Sequence, residues 1–410
     1  MASTPLSTPA VAIYIGRQPI YDRDLNVVAY ELLYRSSQQD NWADVTDGEH
    51  ATTHVLNNAF MEIGFDDLVG ENKAFINMPR GYIISDQPLS LPPDRVVLEL
   101  LENIEVDAEV VEAVKRLSQQ GYTIALDDFV FHEKLTPLVQ LADIIKIDLM
   151  ELSGASLLQH VLLLRQHNVR LLAEKVETRE QFENCKQMGF DYFQGYFFSR
   201  PQIISGDKLP TNRLSILQLI ARIYDPEVTF DELDRLISQD VTLSFKLLRV
   251  INSAAYALPR KIETMKQALT ILGIKNIRNW ISMVSFSGVD DKPSELFRSS
   301  MIRAKMCECL AQASGARDSD SYFTVGLFSN LDSLMDQPLS VLVAPLPLST
   351  EIKQALLERE GAMGATLSCV LAYETGDWEH VNADCLSPQQ IRQAYAESLH
   401  WTHELSKEIV

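Results

Sequence analysis

Cysteine is scarce in this sequence: its 410 residues include Cys185, Cys307, Cys309, Cys369 and Cys385 and no others. An odd number with no C-x-x-C pair argues against a disulfide framework and against a thiolate zinc site. Long apolar runs are also missing. No stretch of about 18 residues is free of charge, so no membrane span is expected. The opening MASTPLSTPA has neither a basic segment nor an apolar core, and no export signal is expected from it. Basic residues are in deficit, with 36 Lys and Arg against 56 Asp and Glu and a net charge of -20. Such a field repels polyanions, so a nucleic-acid polymer or an anionic membrane is not an expected partner. A small anionic ligand would need cations or metal ions to reverse the sign locally. A reducing cytoplasm is the expected location.

What is present is an ordinary globular balance, 46% hydrophobic and 22% charged, on a chain long enough for two or three domains. Residues 1–10 are rich in Ser, Thr and Pro and read as a disordered tail. Apolar runs of strand length then recur: VAIYIG (11–16), VVAYELLY (27–34), KAFINM (73–78), RVVLELL (95–101), TIALDDF (123–129), DIIKIDL (143–149), RLLAEKV (170–176) and YFQGYFF (192–198). Continuous rather than alternating apolarity predicts strands buried on both faces, as in a parallel sheet with helical crossovers. Helices are predicted at 107–121, 155–168 and 178–189, the last with a Thr cap and a closing Gly. The first two runs lie too close for a crossover and predict a hairpin. Eight strands suggest a closed (β/α)8-type, TIM-like barrel over 11–205. Near SRPQIISGDKLPTN (199–212) the pattern changes to helical periodicity, which predicts a second, all-α domain over 206–410.

Nearly every strand after the first carries a polar residue at or near its C-terminal end. These are Glu31, Asn77, Glu99, Asp127 with Asp128, Lys146 with Asp148, Glu174 with Glu177, and Gln194. In a barrel those ends converge on one face. Carboxylates in apolar runs must be paired or bound to a cation, because an unpaired buried charge costs several kcal/mol. Converging hard oxygen ligands suit Mg²⁺ or Mn²⁺, in one or two ions, a usual arrangement for phosphodiester hydrolysis. A lone acid at a strand end is more often a helix cap or a solvated rim residue, the reading given to Glu102 and Glu177. The Asp127–Asp128 doublet differs, since adjacent acids repel unless a cation lies between them.

The block QPIYDRDLNVVAYELLYR (18–35) resembles the signature opening of EAL domains, the cyclic di-GMP phosphodiesterases of bacterial signalling, with Glu31-Leu32-Leu33 where the family has its tripeptide. FINM, LELLE, LDDF, IKID, AEKVET and QGYFFSRP follow in the family's order. The resemblance implies that Glu31, Asn77, Glu99 and Asp127 ligate one metal ion, with Asp127 bridging to a second held also by Asp128. It implies Lys146 as the group that orients the attacking water, Glu174 as general base or water-mediated ligand, Gln194 as part of the polar wall, and Arg35 as a phosphate grip. The family's Phe-Gly-Thr-Gly segment after the Asp doublet is replaced by DDFVFHEKLTPL, Lys175 stands where a glycine follows the catalytic Glu, and two connections are shorter, implying a trimmed barrel. The second half resembles HDOD domains through ISQDVTLSFKLLRVINSAAY (237–256), QALTILGIKNIRNW (267–280) and VGLFSNLDSLMDQPL (325–339). No histidine is followed by Asp, which excludes the metal pair of an HD hydrolase and leaves His380, His400 and His403 as surface or packing residues. Together the resemblances imply a bacterial EAL–HDOD signalling protein. One expectation is a divergent, weak or inactive phosphodiesterase-like barrel joined to a non-catalytic module that binds a protein partner. The alternative is an active metal-dependent enzyme yielding the linear dinucleotide. Cyclic di-GMP is the implied ligand, and a homodimer is the family's common form, although the altered 128–139 segment belongs to that contact.

Overall fold

The computed structural model describes residues 13–36, 64–85, 91–127, 135–195, 211–239, 241–252, 262, 264–286, 292–382 and 386–409. The tail 1–10, the doublet residue Asp128 and most of the 199–212 boundary lie outside these residues.

The first half alternates strand and helix: β1 (Ile13–Tyr21), β2 (Val27–Ser36), α1 (Phe65–Val69), β3 (Lys73–Met78), α2 (Arg80–Ile84), β4 (Val96–Leu100), α3 (Ala108–Gln119), β5 (Thr123–Leu126), α4 (Thr136–Val139), β6 (Ile144–Asp148), α5 (Gly154–Leu164), β7 (Arg170–Glu174), α6 (Arg179–Met188) and β8 (Tyr192–Phe193). The strands close into a barrel in the order β1 to β8. β1 and β2 form the expected antiparallel hairpin, and β2 through β8 run parallel. The uninterrupted apolar runs have the predicted cause: every residue of β4 and β6 is buried. Side-chain capping supports the crossovers. Asp107 accepts from the Val110 N–H at the start of α3, and Thr178 with Gln181 forms a capping box at the start of α6.

Helices alone follow: α7 (Thr211–Ile223), α8 (Phe230–Gln239), α9 (Val241–Ile251), α10 (Met265–Phe286), α11 (Ser294–Ala313), α12 (Ser319–Phe328), α13 (Leu331–Met335), α14 (Leu339–Val343), α15 (Thr350–Leu357), α16 (Gly361–Thr375) and α17 (Pro388–Ile409). The span of α10 consists of two helical segments that meet at a kink at Gly273, whose φ is 78°. Helices α11 and α12 approach backbone to backbone at Gly326, where a Cβ would sit 2.5 Å from the Arg303 carbonyl oxygen. Among the described residues, no helix is long and apolar enough to cross a membrane.

The two halves share one continuous apolar core. A second, smaller cluster fills the barrel interior: Ile20, Ala29, Phe75, Val97, Ala125, Ile144 and Leu172, with Tyr192 packed against it. Because Gly326 leaves no space for a methyl group, Gly326→Ala should destabilise the folded state by about 2 kcal/mol. Urea unfolding checks this, and an unchanged midpoint would show that the helices part without cost.

Candidate active site at the barrel mouth

Strand geometry alone builds the site from that inner cluster. Side chains on one face of a strand recur every second residue. Two positions along from Ala29, Phe75, Val97, Ala125, Ile144, Leu172 and Tyr192 stand Glu31, Asn77, Glu99, Asp127, Lys146, Glu174 and Gln194. The polar residues at the strand ends therefore form the next layer up inside the barrel, resting on an apolar floor. The same rule adds a residue that the sequence reading missed. On antiparallel β1 the floor residue is Ile20, so the layer above it contains Gln18, which pairs in register with Glu31. Its signal was present in the QPIYDRD block, but only the register assigns it to the layer.

The centre of the layer is an ammonium group. Lys146 Nζ lies 2.8 Å from Glu99 Oε1, 2.7 Å from Asp127 Oδ1, 2.9 Å from Glu174 Oε1 and 3.4 Å from Glu31 Oε2. Gln194 donates to Glu31 Oε2 at 2.7 Å, and Asn77 stands beside Glu99 in the β3–β4 register. The structure thus brings together Glu31, Asn77, Glu99, Asp127, Lys146, Glu174 and Gln194. Arg35 is carried by β2 four positions beyond Glu31, but its side chain and the whole of Asp128 fall outside the described residues. Glu177 is a rim residue, its backbone N–H bonded to the capping Gln181.

Two comparisons with known proteins cover almost the whole chain. The cyclic di-GMP phosphodiesterase CdgJ of Vibrio cholerae is 34% identical over 414 residues, 98% of this chain and 95% of that protein. The chain belongs to the EAL–HDOD family. The EAL domain family matches residues 82–201 and the HDOD domain family residues 209–337. YuxH of Bacillus subtilis is 34% identical over 407 residues, 96% of this chain and 98% of that one. Among solved structures, the manganese/cyclic di-GMP complex of Klebsiella pneumoniae BlrP1 is 21% identical, covers 48% of this chain and 57% of that one, and has a TM-score of 0.38.

Electrostatics of the EAL–HDOD site follow from one cation facing four acids. Burial dominates at Glu99, outweighing the nearby Lys146 and, with Glu31 and Asp127 adding repulsion, holding its pKa well above the usual carboxylate range. The same balance raises Glu174 to about 8. At Lys146 burial favours the neutral amine, but the surrounding carboxylates together hold the ammonium well above its ordinary pKa. Among the described residues no three acids alone gather into a cation-holding group, because the ammonium takes the middle. The donor set nevertheless suits a hard divalent ion. It is all oxygen, it carries an excess of negative charge, and Glu99 Oε2 and Gln194 Oε1 are buried without hydrogen-bond partners. Lys175 does not fill the site. It adopts φ 54°, the left-handed conformation that glycine suits, and pairs with the buried Asp148 at 2.5 Å.

A carboxyl whose folded pKa is raised from 4.5 to about 8 keeps its proton longer folded than unfolded, so its stability contribution is present below about pH 4.5 and lost as pH rises through about 8. In EDTA, Tm should therefore fall between about pH 6 and about pH 8. Glu174→Gln should shrink that fall, and Mn²⁺ should reverse it in the wild type. Scanning calorimetry decides; a Tm indifferent to both pH and Mn²⁺ would contradict the cation reading.

Proposed function

We propose that this chain hydrolyses one phosphodiester bond of cyclic di-GMP to give the linear dinucleotide, in a divalent-cation-dependent reaction at the mouth of its barrel. The observation that carries the reading is the gathering of Glu31, Glu99, Asp127 and Glu174 around Lys146 within one layer. The name of the Vibrio cholerae relative, similar over nearly the full length, supports the substrate. Glu31, Asn77, Glu99 and Asp127 would hold Mg²⁺ or Mn²⁺, with Asp128 available to a second ion. Such an ion supplies Lewis acidity toward the phosphate oxygens and makes water acidic enough to attack near neutral pH.

Glu174, whose carboxyl burial makes more basic than an ordinary carboxylate, is suited to take the proton from the attacking water. Lys146, 2.9 Å from it, holds that carboxylate in place and offers positive charge to the developing anion. Gln194 fixes Glu31 through its amide. Arg35 would grip a phosphate with its forked donors. The helical module lacks a His-Asp pair and serves, in this reading, to bind a protein partner. Cytoplasmic placement belongs to the same reading, since Cys185, Cys307, Cys309 and Cys369 are buried free thiols.

A second reading, a receptor that binds the cyclic dinucleotide without turning it over, draws on one departure: Lys175 and its pair with Asp148 at the rim. Chromatography separates the two. Wild-type protein with Mn²⁺ should produce the linear dinucleotide, and Glu174→Gln should lower kcat by about 10²-fold or more. Binding in calorimetry with no turnover above the Glu174→Gln background would replace the enzyme with the receptor.

A further inference from the structure

The β1–β2 hairpin has two faces with different duties. Its inner face supplies Gln18 and Glu31 to the polar layer. Its outer face, one residue away on each strand, is gripped by the helical module. Tyr30 donates its hydroxyl to Glu295 Oε2 at 2.7 Å across 265 positions of sequence. Glu295, in the first turn of α11, also lies 3.6 Å from the Arg17 guanidinium, which stacks 4.2 Å over the Tyr30 ring. Arg17, Tyr30 and Glu295 are all buried, so this contact joins two desolvated charges through one phenol. Further along β1, the Ile15 N–H donates to the Tyr373 hydroxyl at 3.3 Å, and Tyr14, which shares its face of the strand with Gln18, stacks on Trp378 at 5.5 Å.

The hairpin borders a cavity on its β1 side. Among the described residues, β1 registers with β8 only at Tyr21–Phe193. Above that pair, a cavity of about 110 Å³ separates Gln18, Pro19 and Gly195 of the barrel from Glu295, Ser299 and Glu374 of the helical module. On its other side β2 is paired with β3 from Ala29 to Leu32, so the outer contacts act on the β1 edge of the hairpin and, through Tyr30, on the residue next to Glu31.

We propose that Glu295 is a positioning residue for the barrel site: by holding Arg17 and Tyr30 it sets where Glu31 stands, so that the docking of the helical module governs the affinity of the barrel mouth for a divalent cation. The inference rests on the phosphodiesterase reading for its consequence and on the hairpin contacts for its cause. A protein partner that displaced the start of α11 would loosen Glu31 from outside, with no contact to the substrate.

The test uses the full chain and Mn²⁺ as probe, with free Mn²⁺ read by electron paramagnetic resonance. Tyr30→Phe removes one hydroxyl, and Glu295→Gln removes the charge while keeping the shape. Each should weaken Mn²⁺ binding about tenfold, which corresponds to about 1.4 kcal/mol, and lower kcat with little change in KM. Ile237→Ala, which opens a cavity where α8 packs on α9 and α10 and leaves α11 and the hairpin contacts in place, should leave Mn²⁺ affinity as in the wild type. Wild-type affinity in both Tyr30→Phe and Glu295→Gln overturns the inference, and so does an equal loss in Ile237→Ala, which would indicate general loosening. If the wild type binds Mn²⁺ but does not turn over cyclic di-GMP, the enzyme reading fails while the Mn²⁺ comparison still decides the inference. A wild type that binds no Mn²⁺ removes both.

Discussion

A single ammonium group, fully buried among four carboxylates, is the constraint around which the rest of the barrel is arranged. One positive charge does not balance four negative ones in a medium that solvates none of them well. The excess resolves by protonation, seen in the raised pKa of Glu174 and Glu99, or by admission of another cation. Either way the site stores an electrostatic imbalance that an apolar core alone would never create. Buried charge of this kind contributes little net stability. Its presence at the open end of an otherwise apolar interior is therefore better explained by chemistry than by folding.

The imbalance is tolerable because the floor beneath it is rigid. Ile20, Ala29, Phe75, Val97, Ala125, Ile144 and Leu172 form an apolar layer; each parallel strand delivers its polar residue two positions later, and antiparallel β1 delivers Gln18 two positions earlier. Barrel register thus does for this site what a long loop could not: it fixes eight side chains from separate strands to one level. The cost of disturbing any strand is shared by its neighbours, and at the seam β1 meets β8 in antiparallel register at Tyr21–Phe193.

The hairpin is also supported from outside the barrel. The outer face of β1 and β2 is covered by helices from the second half, through a phenol, a guanidinium and a carboxylate that are all withdrawn from water. His400 adds a bond to Asp67 at the edge of α1. The EAL and HDOD portions are therefore not independent beads on a linker. They share a core, and the helical portion covers a barrel face that would otherwise expose Tyr30, Arg17 and Leu32.

Sequence alone determined the strands, since uninterrupted runs such as VVLEL and IIKID can be buried only on both faces of a sheet. It also determined the polar set from Glu31 to Gln194, because acids at the ends of such runs demand an explanation. It did not determine Gln18, whose place depends on register with Glu31, nor the ammonium at the centre, which depends on strands 115 positions apart meeting at one level. Least legible was Glu295, an ordinary acid at the start of an ordinary helix until folding brings it to Tyr30. Local pattern records which face of an element is buried. Which distant element covers that face is decided only when the chain has closed, because hydrophobic attraction carries no address and the matching of single charges and hydroxyls operates over a few ångström.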